Sequence, residues 1–243
     1  MSAAPLAIDL FCGLGGWADG LLATGYFVVG FDITRHVYGE HRYPAHLVIQ
    51  DVLTLHGSQF RDATLIVASP PCEAYSYRAM PWSRAKALPP PDNSLFEACF
   101  RIQREASQAS GRHIPLIVEN VRGAQKWVGP ARWHHGSYYL WGDVPALMPF
   151  AVKAFKSSGC LWYPKTDPRW KPGLTFRDIA GRQALAGVKQ RGSGAAWWDK
   201  ALDQRRKDAT AIKNAGGSSR KFASAMIAKI PLPLSLHIGA TFR

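Results

Sequence analysis

Ala7-Ile8-Asp9-Leu10-Phe11-Cys12-Gly13-Leu14-Gly15-Gly16-Trp17 is the stretch that decides the fold. Ala7 to Phe11 is a short, mostly apolar run with the length and character of a buried strand. Gly13, Gly15 and Gly16 then mark a tight turn in which backbone can approach a ligand closely. From Trp17 to Thr24 the apolar residues Trp17, Leu21 and Leu22 fall at helical spacing, and Gly25 stands where a helix-ending glycine belongs. A strand that passes through glycines into a helix leaves N–H groups aimed at whatever occupies the turn. The turn is not a phosphate loop, because no Gly-Lys-Ser/Thr follows, and its glycines do not have GxGxxG spacing.

Working outward, the pattern repeats. Tyr26 to Asp32 predicts a second strand, and Leu47 to Ile49 a third, followed by Asp51. Thr64 to Ala68 predicts a fourth, which ends at Ser69-Pro70-Pro71-Cys72. Ser94 to Ser110 reads as a helix capped by Asn93 or Ser94, with Leu95, Cys99 and Ile102 on one stripe. Ile114 to Val118 predicts a fifth strand, ending at Glu119-Asn120-Val121, and Tyr138 to Trp141 another. Ser218 to Lys229 predicts a closing helix with Phe222, Ala225, Met226 and Ile230 on one side. Apolar strands alternating with helices predict an α/β fold: a mostly parallel, Rossmann-like sheet covered by helices on both faces. Ligands of such sheets bind beyond the carboxyl ends of the strands. The polar residues Asp9, Asp32, Asp51, Cys72 and Glu119 punctuate those ends.

The chain has 243 residues, enough for one α/β domain and a small appendage. The 47% apolar and 19% charged fractions describe a globular chain. No apolar run reaches membrane-spanning length, and the N-terminus lacks a basic region before an apolar one, so a cytoplasmic protein is expected. Cys12, Cys72, Cys99 and Cys160 show no CxxC spacing, which points away from zinc and from a disulfide framework. The adjacent His134 and His135 lack a third ligand, so no metal is expected. Residues 1–150 hold 12 Lys+Arg and 12 Asp+Glu, whereas residues 151–243 hold 18 and 5. The whole formal charge of +13 therefore lies in the last 93 residues, and a polyanion such as nucleic acid is the natural partner.

The residues at the strand ends suggest a chemistry. Asp32 is placed to accept hydrogen bonds from a ribose, and Asp51 from an adenine amino group. With no pyrophosphate-binding spacing, the ligand is an adenosine derivative such as S-adenosylmethionine. Cys72 follows two prolines that stiffen the backbone, and a thiolate held at a sheet edge is a strong nucleophile. A lone cysteine is more often a core thiol; the Pro-Pro context at a strand end reverses that reading. Glu119 closes an apolar strand, where a carboxylate is costly to bury without a partner or a task. Cytosine C5 is too weak a nucleophile to take a methyl group directly. Addition of a thiolate at C6 makes the ring an enamine, and an acid at N3 offsets the charge that develops.

DLFCGLGG, SPPCEAYS and IVENV resemble three signature motifs of the C5-cytosine DNA methyltransferases, in the same order. The resemblance covers residues 6–145 and resumes at SSRKFASAMIAKIP, similar in place and character to the family's last helix motif. It implies Cys72 as nucleophile, Glu119 as the N3 partner and Asn120 as the residue that orients the Pro-Cys loop. It implies Phe11, Gly13, Gly15, Gly16, Asp32, Asp51 and Pro71 around S-adenosylmethionine. It further implies double-stranded DNA as substrate, a flipped target base, and a monomeric bacterial or phage enzyme, such as serves in restriction-modification.

Three departures stand out. Glu73 follows Cys72 where the family usually has Gln. The Gln-x-Arg-x-Arg strand that usually follows Glu-Asn-Val is replaced by HHGSYYLWGD, which leaves Arg122 and Arg132 as weak substitutes. The recognition region, residues 143–217, is short and predicts relaxed or very short sequence specificity. It carries Trp162, Trp170, Trp197 and Trp198, which serve either as core or as stacking platforms. The organisation expected is a catalytic core over 1–142, this basic region over 143–217, and a C-terminal helix and tail over 218–243. Arg78, Arg84 and Lys86 in the loop after Cys72, with Arg122, Lys189 and Arg191, are the expected DNA contacts. Two other readings compete: the same chemistry on RNA or a free cytosine nucleotide, and a catalytically silent protein that binds S-adenosylmethionine and nucleic acid.

Overall fold

The computed structural model describes residues 3–76, 89–148, 225 and 228–243. Met1–Pro149 and Lys229–Arg243 form one compact unit. Its centre is a seven-stranded sheet built from β1 (Leu6–Leu10), β2 (Phe27–Asp32), β5 (His46–Ile49), β6 (Leu65–Ala68), β7 (Leu116–Asn120), β8 (Trp133–His135) and β9 (Tyr138–Gly142). The spatial order is β5-β2-β1-β6-β7-β9-β8. The first five strands are parallel, and β9 runs antiparallel to both β7 and β8. A separate two-stranded hairpin, β3 (Val37–Tyr38) with β4 (His41–Arg42), lies between β2 and β5 in the chain. The mostly parallel α/β sheet expected from the sequence is the one observed.

Alternation along the strands divides their side chains between two cores. Ile8, Leu10, Ile66, Ala68, Leu116 and Val118 enter one core, which α2 (Ser94–Ser110) covers through Phe96, Cys99 and Ile102. Ala7, Val67 and Ile117 enter the other, under α1 (Gly16–Ala23) and α4 (Leu232–Thr241), with Trp17, Leu21, Leu234 and Ile238. A short helix, α3 (Gln125–Val128), follows β7. The helices α1 and α4 touch backbone to backbone. A Cβ on Gly20 would stand 2.4 Å from the carbonyl carbon of Ser235, and one on Gly16 would stand 2.3 Å from the amide nitrogen of Ile230.

The structure departs from the sequence reading in four places. The passage from β2 to β5 contains the β3–β4 hairpin and no helix, in keeping with its glycine, β-branched and aromatic residues. The strand β5 is the sheet edge, so Val48 and Ile49 are exposed instead of buried. Glu119 lies within β7 and not after its end, because that strand starts and stops about two residues later than the apolar run suggests. The helix Leu232–Thr241 was not anticipated, since Pro231 and Pro233 read as helix breakers. Both sit at its start, where a missing N–H costs nothing. The expected helix Ser218–Lys229 lies almost wholly outside the described residues, as does most of the expected region 143–217.

The contact between α1 and α4 yields a test. Gly20→Ala would gain up to ~1 kcal/mol in helix propensity. It would also drive a methyl group into the Ser235 backbone, an overpacking that typically costs about 1–3 kcal/mol. A net loss of stability is expected, read as a fall of a few degrees in Tm.

Candidate active site

The carboxyl ends of five adjacent parallel strands place the candidate residues in a row. Asp51 follows β5, Asp32 ends β2, Phe11 to Gly13 follow β1, Cys72 follows β6, and Glu119 with Asn120 ends β7. This row results from the parallel register, which pairs Asp9 with Gly30 and Val67, and Ala68 with Val118.

At the β1 end the chain leaves the strand through Phe11, whose φ of 57° is in the left-handed region that a non-glycine residue enters only at a cost. Gly13 follows at φ 50°, and its N–H donates to Oδ2 of Asp32 at 3.0 Å. The other oxygen of Asp32 accepts from the Thr34 amide at 3.0 Å, and His36 Nε2 lies 3.5 Å from it. Asp32 thus fastens the glycine-rich turn to the end of β2. The three glycines do different work. A Cβ on Gly13 would meet nothing within 4 Å. The space at Gly15 is taken by Pro44 and Tyr43, and that at Gly16 by Lys229 and Ile230. Among the described residues, then, Gly13 is the glycine of the turn that faces open space. Asp51 caps a 3-10 turn, Val52–Thr54, by accepting from Leu53 N–H at 2.9 Å.

The β6–β7 side holds the candidate pair, Cys72 and Glu119. Pro70 is buried, Pro71 exposed and Cys72 half-buried. Cys72 starts the 3-10 turn Glu73–Tyr75 and its carbonyl accepts from the Tyr75 amide at 3.0 Å. The buried Asn120 amide donates to the Pro70 carbonyl at 3.0 Å, while its Oδ1 accepts from the Val121 amide at 2.8 Å. Tyr75 extends the link: its hydroxyl donates to Asn93 Oδ1 at 2.9 Å, and its carbonyl lies where a Cβ on Gly123 would be. Glu119, 3% exposed, faces the α1/α4 side by alternation with Ile117. Burial, reinforced by the charge of Glu119, pushes the Tyr138 phenol up, and that hydroxyl donates to the Lys229 carbonyl at 3.0 Å.

Two residues beside this row were given no role by the sequence: Ile33 was not singled out, and Asp9 was noted only as a polar residue at a strand end. Ile33, 69% exposed directly after Asp32, is an apolar side chain open to a flat ring. Its signal was available, since it continues an apolar strand past the acid. Asp9, 1% exposed, is a buried acid whose Oδ1 has no hydrogen-bond partner among the described residues. Arg122 and Arg132 are exposed, and neither β8 nor β9 contains an arginine. Arg78, Arg84, Lys86, Lys189 and Arg191 lie outside the described residues. Among those described, no group of three His, Cys, Asp or Glu is arranged for a metal, and no helix is long and apolar enough to cross a membrane.

Comparison with known proteins places these residues in a family context. A model of the C-5 cytosine-specific DNA methylase family matches residues 6–127. A search of curated proteins returns no match. Among solved structures, one similar chain is described as a DNA modification methyltransferase encoded within an E. coli prophage. It is 24% identical over 51% of this chain and 34% of its own, at a TM-score of 0.37. The S. pombe Dnmt2 methyltransferase is 17% identical over 51% of this chain and 36% of its own, at 0.34. The Entamoeba histolytica methyltransferase EhMeth is 16% identical over 51% and 40%, at 0.36. The chain therefore spans well under half the length of these proteins.

The Asn120 amide gives a direct test of the loop. Asn120→Ala leaves the Pro70 carbonyl without its donor, which costs about 1–3 kcal/mol when the group is buried. The variant should unfold at lower denaturant, and Cys72 should react faster with a thiol reagent once its loop is released.

Proposed function

The chain belongs to the family of C-5 cytosine-specific DNA methylases, and from that premise we propose that it transfers a methyl group from S-adenosylmethionine to cytosine C5 in DNA. The observation that carries the reading is the junction of β6 and β7. Cys72 and Glu119 stand at neighbouring strand ends, and the Asn120–Pro70 hydrogen bond joins those ends.

In this reading the Cys72 thiolate adds to C6 of the cytosine ring. Glu119 holds the proton at N3 and so offsets the charge of the adduct. Bound S-adenosylmethionine supplies an electrophilic methyl group on its sulfonium. C5 takes that methyl group, a base removes the C5 proton, and the C6–S bond breaks to restore the thiolate. Asn120 acts by holding the loop that carries Cys72, because a nucleophile out of line by an ångström loses much of its advantage. The residues present fit the cofactor. Gly13 offers open backbone, Asp32 stands at the β2 end for the ribose, Ile33 is free to pack on the adenine, and Asp51 borders it. Phe11, Gly15, Gly16 and Pro71 complete the surround, the last two glycines by letting other parts of the chain close in.

The substrate reading rests on charge. The excess over residues 151–243 suits phosphates, with Arg78, Arg84, Lys86, Arg122, Lys189 and Arg191 as proposed contacts. The target cytosine leaves the duplex, since C6 is out of reach within the stack. The short region 143–217 reads few base pairs, and the protein works as a cytoplasmic monomer.

Bisulfite sequencing of DNA from cells expressing the protein tests the reading; unmodified cytosines throughout would overturn it. Duplex DNA containing 5-fluorocytosine should trap the wild-type chain covalently, while Cys72→Ser should form no adduct and transfer no methyl group. Glu119→Gln should slow transfer by roughly 100-fold or more, the usual scale for losing a positioned acid.

A further inference from the structure

Tyr43 lies in the loop between β4 and β5, outside every motif discussed above, yet two glycines make room for it. A Cβ on Gly30 would stand 2.4 Å from Cζ of its ring. A Cβ on Gly15, in the glycine-rich turn, would stand 3.1 Å from its Cδ2 and 2.4 Å from Cδ of Pro44. The ring is therefore seated between the end of β2 and the turn. Its hydroxyl donates to Oδ2 of Asp9 at 3.1 Å, in the strand that leads into the turn.

Three carboxylates surround this turn, and they are not balanced alike. Asp19 has the Lys229 ammonium at 2.7 Å, and Asp32 has the Gly13 and Thr34 amides with His36 at 3.5 Å. Asp9 has only the Tyr43 hydroxyl, and its Oδ1 is without a partner among the described residues. Burial pushes the Asp9 carboxyl well above the usual carboxylate range; the Tyr43 hydrogen bond works against this, and the charges of Asp32 and Asp19 add to it. The Cys12 thiol beside it is itself pushed up by burial and brings no positive charge. A buried acid in this condition is stabilised by a cation arriving from outside the chain.

We propose that Tyr43 is a positioning residue for the ammonium group of the cofactor's amino-acid end: its hydroxyl holds Asp9 at the base of the glycine-rich turn, and Asp9 supplies the negative potential that draws that ammonium in. This rests on the proposed use of S-adenosylmethionine. The ligand carries an ammonium, a sulfonium and one carboxylate, and its adenosine portion carries none of them. Tyr43→Phe keeps the ring in its seat and removes only the hydroxyl, so the ionised form of Asp9 loses its donor while the wall of the site stays.

Calorimetric titration separates the possibilities with three probes. S-adenosylhomocysteine has the ammonium and carboxylate without the sulfonium, S-adenosylmethionine has all three, and methylthioadenosine has none. Tyr43→Phe should bind S-adenosylhomocysteine and S-adenosylmethionine about tenfold more weakly, in line with a hydrogen bond to a charged group. It should bind methylthioadenosine as the wild type does. Asp9→Asn should show the same loss, and the double variant no further loss. A larger loss for S-adenosylmethionine than for S-adenosylhomocysteine assigns the sulfonium a share. Equal weakening of all three probes makes Tyr43 a mere wall and overturns the inference, as does unchanged binding of S-adenosylhomocysteine. If the wild type binds none of the three, the proposed function itself fails. If it binds all three and Tyr43→Phe matches it, only this inference fails.

Discussion

The hydrogen bond from the Asn120 amide to the Pro70 carbonyl is the contact on which the placement of Cys72 beside the end of β7 depends. It spans two neighbouring parallel strands at the level where both end. Prolines cannot donate, so the Pro70-Pro71 segment has no N–H with which to join a ladder. Its buried carbonyl would be left unpaired if Asn120 were absent. One side chain therefore satisfies the loop and sets its position relative to β7, which carries Glu119 one residue earlier. The close approach of Gly123 to the Tyr75 carbonyl closes the same joint from the other side.

The sheet separates these roles by face. Asn120 alternates with Glu119, so the residue that holds the loop points toward the α2 core and the acid points toward α1 and α4. Asp9 lies on the same face as Glu119. Two acids buried under one helical layer are a burden that hydrophobic packing must offset. That layer packs tightly: Gly20 of α1 meets the α4 backbone at Ser235, Gly16 meets the Ile230 backbone just before α4, and Gly239 of α4 meets the Thr24 side chain. Chain segments far apart in sequence, the first helix and the last, thus cover the floor on which the acids stand.

Much of this was legible beforehand. The apolar runs marked six of the seven strands of the main sheet, and the glycine-rich turn, Cys72 and Glu119 stood out by residue type and place. The helix at Leu232–Thr241 did not, because Pro231 and Pro233 break a helix anywhere except in its first turn, and a sequence does not say where a first turn begins. Tyr43 was invisible for another reason. It sits in a loop without periodicity, and only the empty positions at Gly15 and Gly30 reveal that a ring belongs there.

The sequence by itself determined the parallel α/β class, the presence of a glycine-rich turn and the place of Cys72 and Glu119 near the ends of two strands. Local pattern and side-chain chemistry suffice for these. Only the tertiary structure decided which strands are neighbours, and so which strand ends share a row. It also decided which glycines face open space and which admit another part of the chain. Those outcomes depend on pairing between distant segments, which leaves no mark in the local sequence of either partner.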